Sequence, residues 1–223
     1  MRPLALLKLS SFVALLAASL SAQAFESHTV QYEVFYGDRS AAKLDAVASV
    51  DGTKASFSSS LKAHGLAAVI MPGARNQLTQ FELHNSNWRP TEMIASRTRT
   101  VKLGKRSKRE EERTENTIHF DYAAGTAKAT EKDEQKTLTI NALTADRHSL
   151  LLMVSDRWRA ASKEQREAGI EYEFVNGLKV SSYHFKNFGE HQISTPAGEF
   201  KALKLVHGAE GKKQTIVWLA TEL

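Results

Sequence analysis

From Val30 onward the chain is written in period two. Val30, Tyr32, Val34 and Tyr36 alternate with Gln31, Glu33 and Phe35, and Gly37-Asp38 ends the run. Successive side chains of an extended strand point to opposite faces, so this alternation is that of a half-buried strand. Leu44, Ala46, Ala48 and Val50 repeat it as far as Asp51-Gly52, a dipeptide suited to a type I′ hairpin turn. Ala55, Phe57, Ser59 and Leu61 then keep to one side. Their small members predict a face either crowded by a bulky neighbour or left open as a groove. Strands resume at 77–84, turn at 85–90 and run through 91–103; Gly104-Lys105 reads as a turn, and Ile118, Phe120 and Tyr122 form another alternating set. The segment 136–143 closes this meander.

Two stretches break the pattern. Gly65–Gly73, "GLAAVIMPG", has consecutive apolar residues and is either a short helix or a buried strand end. Leu150, Leu151, Val154, Trp158 and Ala161 recur near the helical period, with Thr144 or Asp146 placed to cap the first turn and Gly169 to end the region. Two hairpins follow. One folds at Asn176-Gly177, the other at Thr195–Gly198, where Pro196 supplies a φ already fit for a turn. Short turns join strands to their sequence neighbours. The expected fold is mainly β: a single antiparallel meander of hairpins with one packed amphipathic helix and a short apolar helix or turn.

The amino terminus reads differently. Arg2 and Lys8 precede an apolar stretch from Leu9 to Leu20, and Ala22-Gln23-Ala24 follows as a small-x-small site. This is the pattern of a secretory signal cleaved after Ala24, leaving 25–223 as one β-rich domain. About a dozen apolar residues fall short of the roughly 20 of a spanning helix, so no transmembrane anchor is expected. Periplasmic localisation follows, and nucleic acid is excluded as a partner. The chain has no cysteine, so no disulfide can staple it. The formal charge of +5 includes Arg2 and Lys8, which would leave with the signal. Contact with lipid head groups or envelope polymers fits so mild a basic balance.

The segments "HQISTPAGEFKALKLVH", "TIVWLATEL", "TADRHSLLLMVSDRW" and "VQYEVFYGD", in this chain's order, resemble the DUF3108 family of exported bacterial proteins. The resemblance implies a periplasmic β-rich domain of unassigned function, with no catalytic residues to carry over. More distantly it implies a curved antiparallel sheet or half-barrel like that of lipoprotein carriers. Family members continue past the Trp-Leu-Ala strand into a further strand, whereas this chain stops at Leu223. The last strand is therefore expected to be either dispensable or missing, leaving Thr215–Leu219 as an edge.

No nucleophile elbow, zinc-protease helix, phosphate loop or dinucleotide fingerprint occurs. No enzyme activity and no cofactor are implied. His119 with Asp121, Asp146 with His148, and His184 with His191 are the histidine groupings checked for metal, and none has the spacing of a zinc site. Glu33, Asp121 and Glu173 are the strand carboxylates checked for hydrolysis, with Glu33 and Glu173 expected to face solvent. Arg97, Arg99, Lys102, Lys105, Arg106, Lys108 and Arg109 form a basic hairpin opposed by Glu110–Glu112. It reads as a solvated hairpin, with a ridge for phosphate-bearing head groups as the alternative. The apolar binding residues expected are Leu66, Val69, Ile70, Met71, Leu150, Val154 and Trp158, from two segments that could cover a concave sheet face. The functional expectation is a non-enzymatic envelope binding or maintenance protein for a lipid, lipoprotein or envelope polymer. The alternatives are a hydrolase of cell-wall or glycan material, and an interaction module using a sheet edge or the basic hairpin.

Overall fold

The computed structural model describes residues 26–36, 39–85, 87–103, 108–212 and 214–220. The signal-like segment 1–24 and the turn at Gly104-Lys105 lie outside them. Eight strands form one open antiparallel meander in sequence order: β1 (His28–Tyr36), β2 (Arg39–Asp51), β3 (Lys54–Ala63), β4 (Ala74–His84), β5 (Asn87–Leu103), β6 (Lys108–Asp121), β7 (Thr126–Glu131) and β8 (Glu134–Thr139). The strands expected from alternation pair as hairpins, but the turn placed at 85–90 is shorter, since β5 begins at Asn87 opposite His84, and β7 is not among those expected. The β2–β3 turn, however, sits one residue later than Asp51-Gly52. Asp51 pairs with Lys54, and Gly52, at φ +58°, takes the first central position. Among the described residues of that turn only the glycine has positive φ, the type II′ pattern rather than I′. Gly177 does the same after Asn176.

The hairpins beyond residue 140 do not extend this sheet. They build a second one, ordered β13 (Thr215–Ala220), β12 (Gly198–His207), β11 (Lys179–Thr195), β10 (Ile170–Asn176) and β9 (Ala145–Asp146), with β9 parallel to β10. The Thr195–Gly198 turn joins β11 to β12, with Ile193 opposite Phe200. It is a hairpin turn. β13 is an edge strand.

The cause of the split is α2 (Leu150–Ala160), which is apolar on two sides. Leu150, Val154 and Trp158 pack with Tyr172, Phe174, Phe185 and Leu205 of the second sheet. Met153 instead joins Ala48, Ala55, Phe81 and Trp88 of the large sheet. A helix clad in this way must lie between two surfaces. Directly between the sheets, Met93, Ile118, Ala127, Ala129 and Leu138 meet Val175.

Two further helices are short. α1 (Ala67–Ile70) resolves the ambiguity of the apolar run in favour of helix. α3 (Lys163–Ala168) opens on a capping box: Ser162 Oγ accepts from Gln165 N at 3.3 Å, and Gln165 Oε1 accepts from Ser162 N at 2.8 Å.

A polar-lined cleft beneath the helix start

Cross-strand register arranges the inner face of the large sheet in rows. One row runs Ala48, Phe57, Thr79, Met93, Ile118, and the next runs Ala46, Ser59, Gln77, Ala95, Asn116. A third runs Tyr32, Leu44, Leu61, Arg75, Arg97, Thr114. The first row is largely filled by the core. Over the other two the sheet stays open as a cleft of about 770 Å³, overhung by Arg147, His148 and Leu152. The groove anticipated from the small residues of β3 is this one: Phe57, Ser59 and Leu61 line it, while Ala55 is buried.

Its floor carries an apolar strip of Leu44, Ala46, Leu61 and Ala95 among Ser59, Gln77 and Asn116, with Leu152 above it. Its charge is lopsided. Arg75, Arg97, Arg147 and Lys132 line it against a single acid, Glu131. Arg75 and Arg97 are direct cross-strand partners. Like charges so placed repel, and among the described residues neither guanidinium has an acidic partner. The Arg97 Nε is buried with no acceptor. A buried donor left open is costly, and an anion bound between the two arginines would supply what both lack.

At the closed end of the cleft lies a directed chain of hydrogen bonds. Asp146 is fully buried; its Oδ1 accepts from Thr79 Oγ1 at 3.2 Å and from Ser149 N at 2.9 Å, and its Oδ2 from Ser149 Oγ at 2.7 Å. Thr79 has only one proton, and it goes to the carboxylate. Thr79 Oγ1 must then accept from His148 Nδ1, 3.0 Å away. The other ring nitrogen, Nε2, is left to accept from Ser59 Oγ at 2.8 Å. Burial pushes the His148 pKa down from its ordinary value, only partly opposed by Asp146, which agrees with a neutral ring. The imidazole also stacks on Phe57, with centroids 4.6 Å apart.

Ser149, the residue preceding α2, spends its hydroxyl on Asp146 and makes no side-chain cap. Neither expected cap serves the first turn. Asp146 takes the backbone N–H of Ser149 itself, and Thr144 Oγ1 accepts from Asn141 N at 2.9 Å. Thr144 also donates to Glu173, which takes a further bond from Asn141 Nδ2 at 3.0 Å. Glu173 is therefore half-buried and held, not facing solvent as alternation implied; Glu33 is exposed. Asp121 caps a turn by accepting from Ala124 N at 2.9 Å. The three strand carboxylates do not converge, and none of them lines the cleft.

The seven apolar binding residues expected are not brought together. Leu66, Val69 and Ile70 are 77%, 77% and 81% exposed, and Met71 is half-buried, at the β3–β4 connection. Leu150, Val154 and Trp158 are core. None of the seven lines the cleft; Leu152 does, at about 200° round the helix from Leu150. Of the basic hairpin, Arg97 turns into the cleft. Arg99, Lys102, Lys108 and Arg109 take strand positions in β5 and β6, with Arg99 opposite Glu112, and Lys105 and Arg106 lie outside the described residues. His119 pairs with Glu92 at 3.2 Å, and His207 Nδ1 accepts from His184 N at 3.0 Å. Among the described residues no three His, Asp or Glu side chains gather to hold a metal.

Residues 105–223 match the model of the family described as a protein of unknown function, DUF3108. The chain belongs to the DUF3108 family. The match takes in β6–β13 and α2, and so Arg147 and His148, but not β1–β5, which supply most of the cleft floor. No curated protein and no solved structure matches the chain.

Proposed function

We propose that this DUF3108 protein is a non-enzymatic binding protein of the bacterial envelope that holds an anionic amphiphile in the cleft. The observation carrying the reading is the Arg75–Arg97 pair, two cross-strand cations without an acidic partner among the described residues, beside the apolar strip of the floor. The acidic head of the ligand lies between the guanidiniums, joined by Arg147 and Lys132. Its hydrocarbon lies along Leu44, Ala46, Leu61 and Ala95. A volume of about 770 Å³ is within the usual range for small-ligand sites. The signal-like start, Met1 to Ala24, supports export, and with it access to envelope lipids. Among the described residues no helix is long and apolar enough to cross a membrane. The test is native mass spectrometry of protein purified without detergent. A reproducible added mass that extracts into organic solvent and carries an acidic group supports the reading, and an extracted neutral compound sinks it.

A second reading, a hydrolase, draws on the Ser59–His148–Thr79–Asp146 chain. Its proton directions leave His148 Nε2 free to take the Ser59 proton, as a general base must. Against it, Ser59 sits mid-strand between β2 and β4, so nearby backbone N–H groups are engaged in the ladders rather than free to stabilise an oxyanion. A fluorophosphonate probe decides between them. Labelling of the native chain that vanishes in both Ser59→Ala and His148→Gln would favour chemistry over binding.

A further inference from the structure

We propose that one end of the large sheet docks on the surface of an anionic lipid bilayer. In an antiparallel meander alternate connections emerge at the same end. The β1–β2 turn, the β3–β4 connection with α1, and the β5–β6 hairpin therefore share one rim. This rim carries large apolar side chains in water: Tyr36 is 87% exposed and Phe35 57%, beside Leu66, Val69 and Ile70 at 77%, 77% and 81%. The two groups are neighbours. α1 packs against β2 and β3, and His64 ties its loop to the start of β2 through His64 N to Ala41 O at 3.0 Å and Nε2 to Ser40 Oγ at 3.0 Å. Large apolar side chains exposed together at one rim mark a contact with something other than water.

Charge identifies the partner. Arg39, Lys43 and Lys62 are exposed at the same end, with Lys43 between Lys62 on one side and Glu33 on the other. The β5–β6 hairpin continues past the rim, and its last register pairs are Lys102 with Arg109 and Leu103 with Lys108, while Glu110–Glu112 lie farther back. Apolar and aromatic side chains ringed by cations suit a head-group layer of acidic phospholipid. The cleft lies at this end as well. Leu61 and Arg75 belong to its outermost row, and Ala63, where β3 ends, is two residues beyond Leu61. A protein seated here holds its cleft next to the lipid source. Docking does not depend on what the cleft binds.

The test is flotation of the full chain with vesicles of phosphatidylcholine alone, or of equal parts phosphatidylcholine and phosphatidylglycerol. Variants of the same full chain share its amino terminus, so differences report on the rim. The native chain is expected to float with the phosphatidylglycerol vesicles, less so at high salt. The triple variant Leu66→Ser, Val69→Ser, Ile70→Ser is expected to lose roughly tenfold or more in affinity, and Lys43→Glu with Lys62→Glu to lose the preference for acidic lipid. All substituted residues are exposed, and an unchanged melting temperature confirms that the variants fold. Equal flotation of native and triple variant, or equal flotation on both vesicles, overturns the proposal. So does a self-associated native chain that ignores vesicles and becomes monomeric in the triple variant, since the rim would then bind a second copy. Lysolipid uptake from solution, measured on the triple variant, keeps the two readings apart. Uptake lost with flotation intact removes the cleft reading alone, and flotation lost with uptake intact is the pattern docking predicts.

Discussion

Arg75 and Arg97 are partners in one register pair, and among the described residues neither has a carboxylate partner. Removing one charge should relieve the empty protein and harm the loaded one. Arg97→Leu is expected to raise stability by roughly 0.2–1 kcal/mol, the scale of a cross-strand like-charge pair. The same change should weaken binding of an anionic amphiphile by about tenfold, as befits a lost charge-assisted hydrogen bond. Melting curves and a lysolipid titration on one preparation check both signs. His148 gives a second prediction. Burial holds its folded pKa below the ordinary 6.5, so the unfolded chain binds the proton more readily. Its contribution to stability is complete above that ordinary value and is lost as the pH falls from there toward the folded pKa. A melting temperature that drops across that window in the native chain, and drops less in His148→Gln, is the expected result. Gly169 gives a third. At φ +92° an added Cβ would stand 2.9 Å from Phe185 O and 2.6 Å from His184 Nε2. Gly169→Ala should cost about 1–3 kcal/mol, measurable by denaturant titration.

At the scale of elements, α2 is the joint between the sheets. Trp158→Ala should cost about 3–5 kcal/mol, because it empties a site enclosed by Tyr172, Phe185 and their neighbours. Leu66→Ser on α1 should stay within about 0.5 kcal/mol, since that side chain is 77% exposed. The contrast matters because sequence alone treats the two segments alike, as apolar runs able to cover a sheet. Periodicity tells which residues share a face but not what the face meets. It located α2 and most of the meander but passed over β7 and the two hairpins that β7 makes with β6 and β8, and it could not show that Leu150, Val154 and Trp158 turn to a second sheet, because that sheet exists only through long-range packing. The site left a fainter trace. In β4, Thr79 is buried in phase with Phe81, and the half-buried Gln77 and exposed Arg75 continue the same face, so polar residues stand where alternation expects apolar ones. Polar groups on a core face are the informative anomaly. The Ser59, Thr79, Asp146 and His148 constellation draws on residues up to 89 positions apart, and no local pattern could assemble it.

Seen whole, the molecule is a large open sheet closed at one end by a helix and a second sheet, and open at the other over an arginine-flanked cleft. Core residues fill the rows from Ala48 and Phe57 to Ile118, and the cleft begins where Arg75, Arg97 and Gln77 replace them. The family match reaches the helix and the second sheet but stops short of β1–β5, so the floor of the cleft belongs to the part of the chain that the match does not describe. On the proposed reading, the cleft selects an amphiphile by the charge of its head. The most direct measurement is native mass spectrometry of the chain titrated with lysophosphatidylglycerol or lysophosphatidylcholine bearing the same acyl tail, alongside the double variant Arg75→Gln, Arg97→Gln. A one-to-one adduct at least about tenfold tighter for the anionic head, lost in the variant, is the expected result. Equal binding of both heads, or anionic selectivity that survives in the variant, would contradict it.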